Sequence, residues 1–312
     1  MAAEKTTGIV LRLIAFSETS CIVTLFTREF GKITTMAKGA RRPKSPFEAA
    51  LDVLAICRIV FLDKSSGAMG LLTEAKLERR FRSATRNLNQ LYAGYYVVEL
   101  LNALTDEGDP HPDLFDFAVG SICQIDSSET RDDQISRILL QFELTALDLL
   151  GHFPMLTKCV SCGREKTSLT RVSFGLNQGG ILCQSCRRGE SNIVSLSSDG
   201  LKFLLDVAGG QIGAKQWNSD NWNYSRRESE SPGDNRSIEQ GVGVQEIKEN
   251  GLNARSWRPS GSRQSESRQT NLQSSNAVEE FKSLKEVRNL VHKYITHLVG
   301  FPPKLHKYLK HI

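Results

Sequence analysis

Four cysteines are the residues in this chain best suited to chemistry. Cys159 and Cys162 form one C-x2-C pair, Cys183 and Cys186 form a second, and twenty residues separate the pairs. Two residues between thiols let both sulfurs of a turn point at one centre, and two such turns supply the four thiolates that a tetrahedral Zn2+ takes. A closed all-cysteine site leaves no position for water. The expected metal, one Zn2+ per chain, therefore folds its segment and does not catalyse. Disulfides or a redox couple would use the same pairs. Seven cysteines in total leave one over in any disulfide framework, and redox chemistry needs one such pair where this chain has two. Arg12 interrupts the apolar run at 9–15, so no signal segment is expected and a cytoplasmic location should keep the thiols reduced. Cys21, Cys57 and Cys123 sit in apolar surroundings and read as core thiols.

A second set of residues suits phosphate. Lys38, Arg41, Arg42 and Lys44 place four cations within seven residues, on a stretch that Gly39, Pro43 and Pro46 keep out of regular structure. Arginine forks and lysine point charges both suit phosphate oxygens; a solvated loop has the same composition. Phe30, Phe47 and Phe61 are near enough in sequence to stack bases, although strand aromatics belong more often to a core. The charge distribution is uneven. Residues 1–80 carry 13 Lys+Arg against 8 Asp+Glu, whereas residues 84–157 carry 3 against 12. A basic front followed by an acidic middle is an electrostatic footprint for a polyanion. No run of apolar residues is long enough for a membrane span.

The elements that must position these residues are legible as changes of period. Strands are expected at 7–15, 21–27, 33–38, 53–62 and 69–77, with Gly31 in a hairpin at a position where positive φ is useful. Five short strands of this spacing fit an OB-type barrel over residues 1–80. From about Arg82 the apolar residues follow helical spacing through Leu88, Leu91, Tyr95 and Val98, then through Leu114, Phe117 and Ala118, then through Ile135, Leu139, Phe142 and Leu147. The metal segment occupies 155–190, with two short strands around 171–174 and 179–182 and the cations Lys158, Arg164, Lys166, Arg171, Arg187 and Arg188 around the thiols. A helix at about 198–207 follows. Residues 210–276 are rich in Ser, Asn, Gln and Gly and hold Trp217, Trp222 and Trp257. Such a composition buries too little apolar surface to offset chain entropy and reads as a disordered insertion. Phe281, Leu284, Val287, Leu290, Val291, Tyr294, Ile295 and Leu298 then outline an amphipathic helix. The helical domain is thus assembled from 81–154, 191–209 and 277–312. His292, His297, His306 and His311 lie among lysines and read as a solvated basic end.

The motifs together resemble the RecO family of bacterial recombination mediators. The resemblance rests on Leu25-Phe26-Thr27, the run from Ala37 to Ser45, Gln141-Phe142-Glu143-Leu144, the run from Leu149 to Pro154, and the double C-x-x-C beginning Cys159-Val160-Ser161-Cys162-Gly163. It covers about 1–208 and 277–310, and the insertion has no counterpart in it. It implies an α+β multidomain protein with an N-terminal five-stranded OB-type β-barrel, a helical domain and a four-cysteine zinc module. It implies that the protein binds single- and double-stranded DNA, anneals strands coated by single-strand binding protein, and with RecR helps RecA replace that coat. Carried onto this sequence, DNA contacts fall on Lys38, Arg41, Arg42 and Lys44, with Arg12 and Lys32 as further candidates. Arg131 and Arg137 are cations within the acidic middle and are the candidates to meet the acidic tail of single-strand binding protein. No catalytic residue is implied, and a nucleoid-associated cytoplasmic protein is expected. Two other readings use the same features: a zinc-containing RNA-binding barrel, and a zinc-dependent nuclease or deaminase. The last needs an open metal position and a neighbouring acid or base, which four cysteines do not provide.

Overall fold

The computed structural model describes the chain except residues 1–2, 44, 46, 48–49, 64–68, 84–86, 166–170, 212–262 and 310–312; of 210–211 and 263–278 it describes the backbone alone. Lys44, Lys166, Trp217, Trp222, Trp257 and His311 therefore lie outside the described residues, as do all side chains of the insertion at 210–276.

Five strands close into a barrel of order β1-β2-β3-β5-β4. They are β1 (Ala3–Ala15), β2 (Cys21–Thr27), β3 (Gly31–Ala37), β4 (Ile56–Leu62) and β5 (Gly70–Arg79). All neighbours are antiparallel except β3 and β5, which run parallel. This is the expected OB-type closure, and it leaves no open sheet edge. Alternation along the strands sends Val10, Val23, Leu25, Ala37, Cys57, Ile59 and Leu72 inward to a core of the barrel's own. Phe47 closes that core from the loop after β3, with 3% of its surface exposed.

A β-bulge between Val10 and Arg12 reverses the alternation of β1. Ile9 before it and Leu11 within it point out of the barrel into the helical core, which they share with Phe26, Leu54 and Ile56. Beyond it, Arg12 and Ile14 point to solvent. The bulge thus marks where the barrel wall leaves the helices.

The helices are α1 (Leu88–Leu104), α2 (Pro112–Ile125), α3 (Asp132–Leu149), α4 (Ser198–Gln211) and α5 (Arg263–Val299). Asn87 caps α1 by accepting hydrogen bonds from the amides of Asn89 and Gln90 at 2.9 and 3.3 Å. One continuous core joins α1, α2 and α3 to Leu201 and Leu204 of α4 and to Leu284, Val287, Leu290, Val291, Tyr294 and Ile295 of α5. The expected apolar stripe of α5 is therefore its packed face, except that Phe281 is 57% exposed. The helical backbone also begins at Arg263, ahead of the expected start near residue 277.

Buried in this core, Tyr96 donates a hydrogen bond to Glu143 Oε1 at 2.6 Å. Burial raises the Glu143 carboxyl above the usual range, against the opposing pull of Arg288 and of the Tyr96 hydrogen bond. Arg288 donates to Ser136 Oγ and to the carbonyl of Leu309 at 3.0 and 3.3 Å. Residues 304–309 are docked on the helical core. A 3-10 turn, Lys304–Tyr308, presents two amides to Glu99 at 2.7 and 3.0 Å. His292 and His306 stack with centroids 3.4 Å apart and depart from the expected solvated basic end, whereas His297, Lys293, Lys304 and Lys307 are exposed as expected.

A second, three-stranded sheet has the order β7-β6-β8, from β6 (Arg171–Gly175), β7 (Gly180–Leu182) and β8 (Ile193–Ser197). The first two are the expected pair. The third comes from the stretch 191–209 expected in the helical domain, ahead of its helix, and it pairs with β6 from Arg171↔Ser197 to Gly175↔Ile193. Its inner face, Val172, Phe174, Ile181 and Leu196, joins the helical core.

Candidate metal centre and nucleic-acid interface

The two cysteine turns stand at the outer end of this sheet. In the first, the Cys159 amide donates to the Arg164 carbonyl at 2.9 Å and the Gly163 amide to the Cys159 carbonyl at 2.8 Å. Gly163 sits at φ +70°, a conformation that favours a residue without Cβ. The Val160 amide donates to Ile181 of β7 at 3.0 Å, which pins this turn to the sheet. In the second, the Arg187 amide donates to the Cys183 carbonyl at 3.0 Å. The turns bring the sulfurs of Cys159, Cys162, Cys183 and Cys186 within 4.8 Å of one another. The Cys162 and Cys183 sulfurs are 3.8 Å apart, and a tetrahedral metal with Zn–S bonds of about 2.3 Å would set its sulfurs roughly 3.8 Å apart. All seven cysteines are unbridged.

Electrostatics fit a cation in the middle of this set. Burial pushes the Cys159 thiol up, but the amides of Cys183, Cys162 and Ser161 outweigh it and bring it down to about 6. The Cys183 thiol is lowered as well, chiefly by the Cys186 amide. Cys186 is pushed the other way, to about 12, by its hydrogen bonds to the sulfurs of Cys183 and Cys162. Without a cation the four sulfurs must share protons, and a divalent ion removes that conflict. The site can therefore hold a metal ion. Lys158, Arg164, Arg187 and Arg188 are exposed around it, and Arg187 donates to Ser173 Oγ at 3.2 Å.

The basic loop after β3 lies on the barrel flank. Gly39 turns at φ +74°, and the Arg42 amide donates to its carbonyl at 3.1 Å. The loop is fastened to the β1–β2 turn by three hydrogen bonds. The Arg41 amide donates to the Thr19 carbonyl at 3.0 Å, Arg41 Nη1 to the Ser17 carbonyl at 3.0 Å, and the Gly39 amide to Ser20 Oγ at 3.4 Å. Lys38, Arg41 and Arg42 are exposed there. None of the three, nor Arg12, forms an ion pair with a described carboxylate.

Residues 1–81 match the family described as Recombination protein O N terminal, and residues 85–225 match Recombination protein O C terminal. The chain is 46% identical over 202 residues to the DNA repair protein RecO of Rhodopirellula baltica, covering 64% of this chain and 73% of that protein. The chain belongs to the RecO family. It is also 33% identical over 202 residues to the RecO of Halalkalibacterium halodurans, covering 64% and 76% of the two chains, and 32% identical over 203 residues to that of Exiguobacterium sibiricum, covering 64% and 77%. A role in DNA repair follows from RecO membership, and no helix among the described residues is long and apolar enough to cross a membrane.

Three of the cations expected at RecO contacts have other work in this structure. Lys32 is turned away from the loop. Its ammonium donates to the carbonyl of Asn102 at 2.8 Å and to that of Thr105, at the end of α1. Partial burial lowers its pKa, opposed by Asp106 and Glu107. Gly31 beside it touches the α1–α2 connection so closely that a Cβ would lie 2.1 Å from the Asp109 carbonyl oxygen. The hairpin tip is thus a docking point, where a cation meets the negative end of a helix. Arg131 pairs with Asp133 at 3.1 Å, and Arg137 with Glu280 at 2.7 Å. Both meet a carboxylate at the exposed surface, and Arg137 ties α3 to α5. The aromatics also move. Phe61 and Phe47 are core residues with 3% exposure each, and Phe30 packs edge-on against Phe61 at 5.3 Å. The exposed aromatic ring of the barrel flank is Phe16, which the sequence had not singled out.

Proposed function

We propose that this chain is a recombination mediator. It holds single- and double-stranded DNA through the loop carrying Lys38, Arg41, Arg42 and Lys44, anneals strands coated by single-strand binding protein, and with RecR assists the loading of RecA. The observation that carries this reading is a group of cations fixed to the barrel by backbone hydrogen bonds and left without a described acidic partner. Such a group releases counterions from a phosphate backbone and holds it whatever its sequence. Annealing asks for little more, because two like-charged strands must be brought side by side. The acidic stretch at 84–157 repels the same polyanion and keeps it on the basic side.

Zinc is the metal we assign to Cys159, Cys162, Cys183 and Cys186. A four-thiolate tetrahedral set suits it, and its part is to hold the exposed cations of the second sheet in place. Such a closed site offers water no coordination position, so the function assigned is mediation and not catalysis. The setting is a bacterial cytoplasm, on the nucleoid.

The test is annealing of complementary strands precoated with the cognate single-strand binding protein. The full chain should accelerate it, and addition of RecR should permit RecA exchange. Arg41→Ala with Arg42→Ala should slow annealing and flatten the dependence of log K on log salt by about two phosphate contacts' worth of slope. Unchanged annealing and slope would overturn the reading. Stronger binding to RNA than to single-stranded DNA of equal length would move the assignment to the RNA-binding alternative.

A further inference from the structure

Phe16 is 60% exposed and Ile14 39% exposed, both on the barrel flank that carries the basic loop. Counting by twos from the buried Val10 would place Arg12, Ile14 and Phe16 inside the barrel. The bulge at Leu11 reverses that phase and turns Arg12 and Ile14 outward. Ile14 pairs with Ile22, Ile22 with Met36, and Met36 with Leu71, so one apolar row crosses four strands on the outer wall. Its members are exposed or half-buried. Phe16 stands at the end of this row, in a turn closed by hydrogen bonds from the Phe16 and Ser17 amides to the Ser20 carbonyl at 3.0 and 3.2 Å. The basic loop is fastened to the same turn through Ser17, Thr19 and Ser20. The turn that carries the exposed Phe16 is therefore tied by hydrogen bonds to the loop whose cations have no described acidic partner.

We propose that Phe16 is a base-stacking residue that gives the basic loop its preference for single-stranded over double-stranded polynucleotide. The proposal rests on the reading of that loop as the phosphate-holding arm. The loop cations neutralise backbone charge equally well on one strand or two. Bases within a duplex are stacked on each other and present no face to a side chain. Unpaired bases do present a face, and an aromatic ring at the edge of an apolar row offers them a platform of any sequence. Releasing the base face on pairing would also let a newly annealed duplex leave the site.

The experiment uses the full metal-loaded chain and three fluorescent ligands of equal length: oligothymidylate, an abasic single strand and a duplex. The abasic strand keeps every phosphate and removes every stacking face. Wild-type protein should prefer oligothymidylate to the abasic strand. Phe16→Ala should bind oligothymidylate about tenfold more weakly, leave the abasic strand and the duplex unchanged, and keep the salt slope. Phe16→Trp should restore oligothymidylate binding. Equal affinity of wild type and Phe16→Ala for oligothymidylate would overturn the proposal and leave the ring to a protein-facing surface. A uniform loss on all three ligands would also overturn it, as a positioning effect on the loop. The arm fails by a different sign, an unchanged salt slope in the Arg41→Ala, Arg42→Ala variant, so the two ideas fall separately.

Discussion

The barrel and the cysteine sheet are both small β units, yet they are held in different ways. The barrel has an apolar interior of its own and a second set of side chains, Ile9, Leu11, Phe26, Leu54 and Ile56, sunk into the helical core. Phe26 reaches Phe115 of α2 with ring centroids 6.0 Å apart. The cysteine sheet shares the helical core through its inner face, but its outer turns have almost nothing to bury. Residues 160–165 are all exposed, and so are 187–190. Among the four ligands only Cys159 is buried, at 3% exposure. On the proposed zinc assignment, sulfur and a cation do there what dispersion and apolar burial do in the barrel. The difference teaches where each cationic surface gets its shape: the loop at Lys38 to Arg42 from hydrogen bonds to a packed barrel, the turns at Lys158 to Arg188, on the zinc assignment proposed above, from a metal.

The sharpest way to break this comparison is to remove the metal. Chelation, or Cys162→Ser with Cys183→Ser, should take zinc from one per chain to none. Hydrogen exchange should rise strongly at 159–165 and 183–189 while the barrel strands keep their protection. Small metal-folded units draw on the order of 10 kcal/mol from zinc at neutral pH, so this is the largest effect expected. Retained protection in the turns of metal-free protein would show that hydrogen bonds alone hold them, and the contrast between the two units would disappear.

A second test asks whether the shared core answers to packing and internal hydrogen bonds without reference to the metal. Tyr96→Phe keeps the ring and removes the proton donor to the buried Glu143. Leaving that carboxylate short of a partner should cost about 1–3 kcal/mol at neutral pH by urea unfolding, with metal content unchanged. The pH dependence has a definite sign. Burial raises Glu143 in the folded state above its unfolded value of about 4.3. Between the two values the native chain keeps a proton that the unfolded chain has released. Stability from this group is therefore full below the unfolded value and is lost as pH rises through the folded one. Glu143→Gln should remove that decline from a stability profile measured upward from pH 4.

Much of this organisation is written locally and some of it is not. Strand alternation from Cys21 to Ala37 and the helical stripe from Leu284 to Ile295 are near-neighbour patterns, so a single sequence displays them. The C-x2-C turns are equally local. What escaped depends on distant partners. Lys32 and Arg41 each lie close to a glycine turn and look alike in the sequence; only tertiary packing sends one to the end of α1 and leaves the other on an open flank. Arg131 and Arg137 carry no local mark of their partners because Asp133 and Glu280 pair with them through geometry, the second across nearly half the chain. Strand β8 is a five-residue stretch whose identity comes from its pairing with β6. Phe16 was hidden by the bulge, since one extra residue reverses the face of everything after it. The two polar serines and the charge that follow Phe16, in Ser17-Glu18-Thr19-Ser20, were the available signal of a ring standing at an exposed turn.

The smallest expected effect sharpens the comparison from the barrel's side. Arg28, at the tip of the β2–β3 hairpin, makes a two-pronged contact with Asp116 of α2, Nε to Oδ1 and Nη2 to Oδ2, each at 2.9 Å. It is the described ion pair that joins the barrel directly to α2, and it raises the Arg28 pKa, first through the Asp116 hydrogen bond. Both side chains remain substantially exposed, at 44% and 35%. Water and salt screen such a pair, so Arg28→Ala should cost no more than about 0.5–1 kcal/mol, and less in 0.5 M salt than in 0.05 M. If apolar interlocking through Leu11, Phe26 and Leu54 fixes the barrel on the helices, exchange protection along β1 and β2 will stay as in the wild type. A loss several times larger, or a barrel that exchanges as a separate unit, would mean that this joint is electrostatic. The barrel would then resemble the cysteine turns more than its apolar interior implies, joined to its neighbour by charge and not by burial.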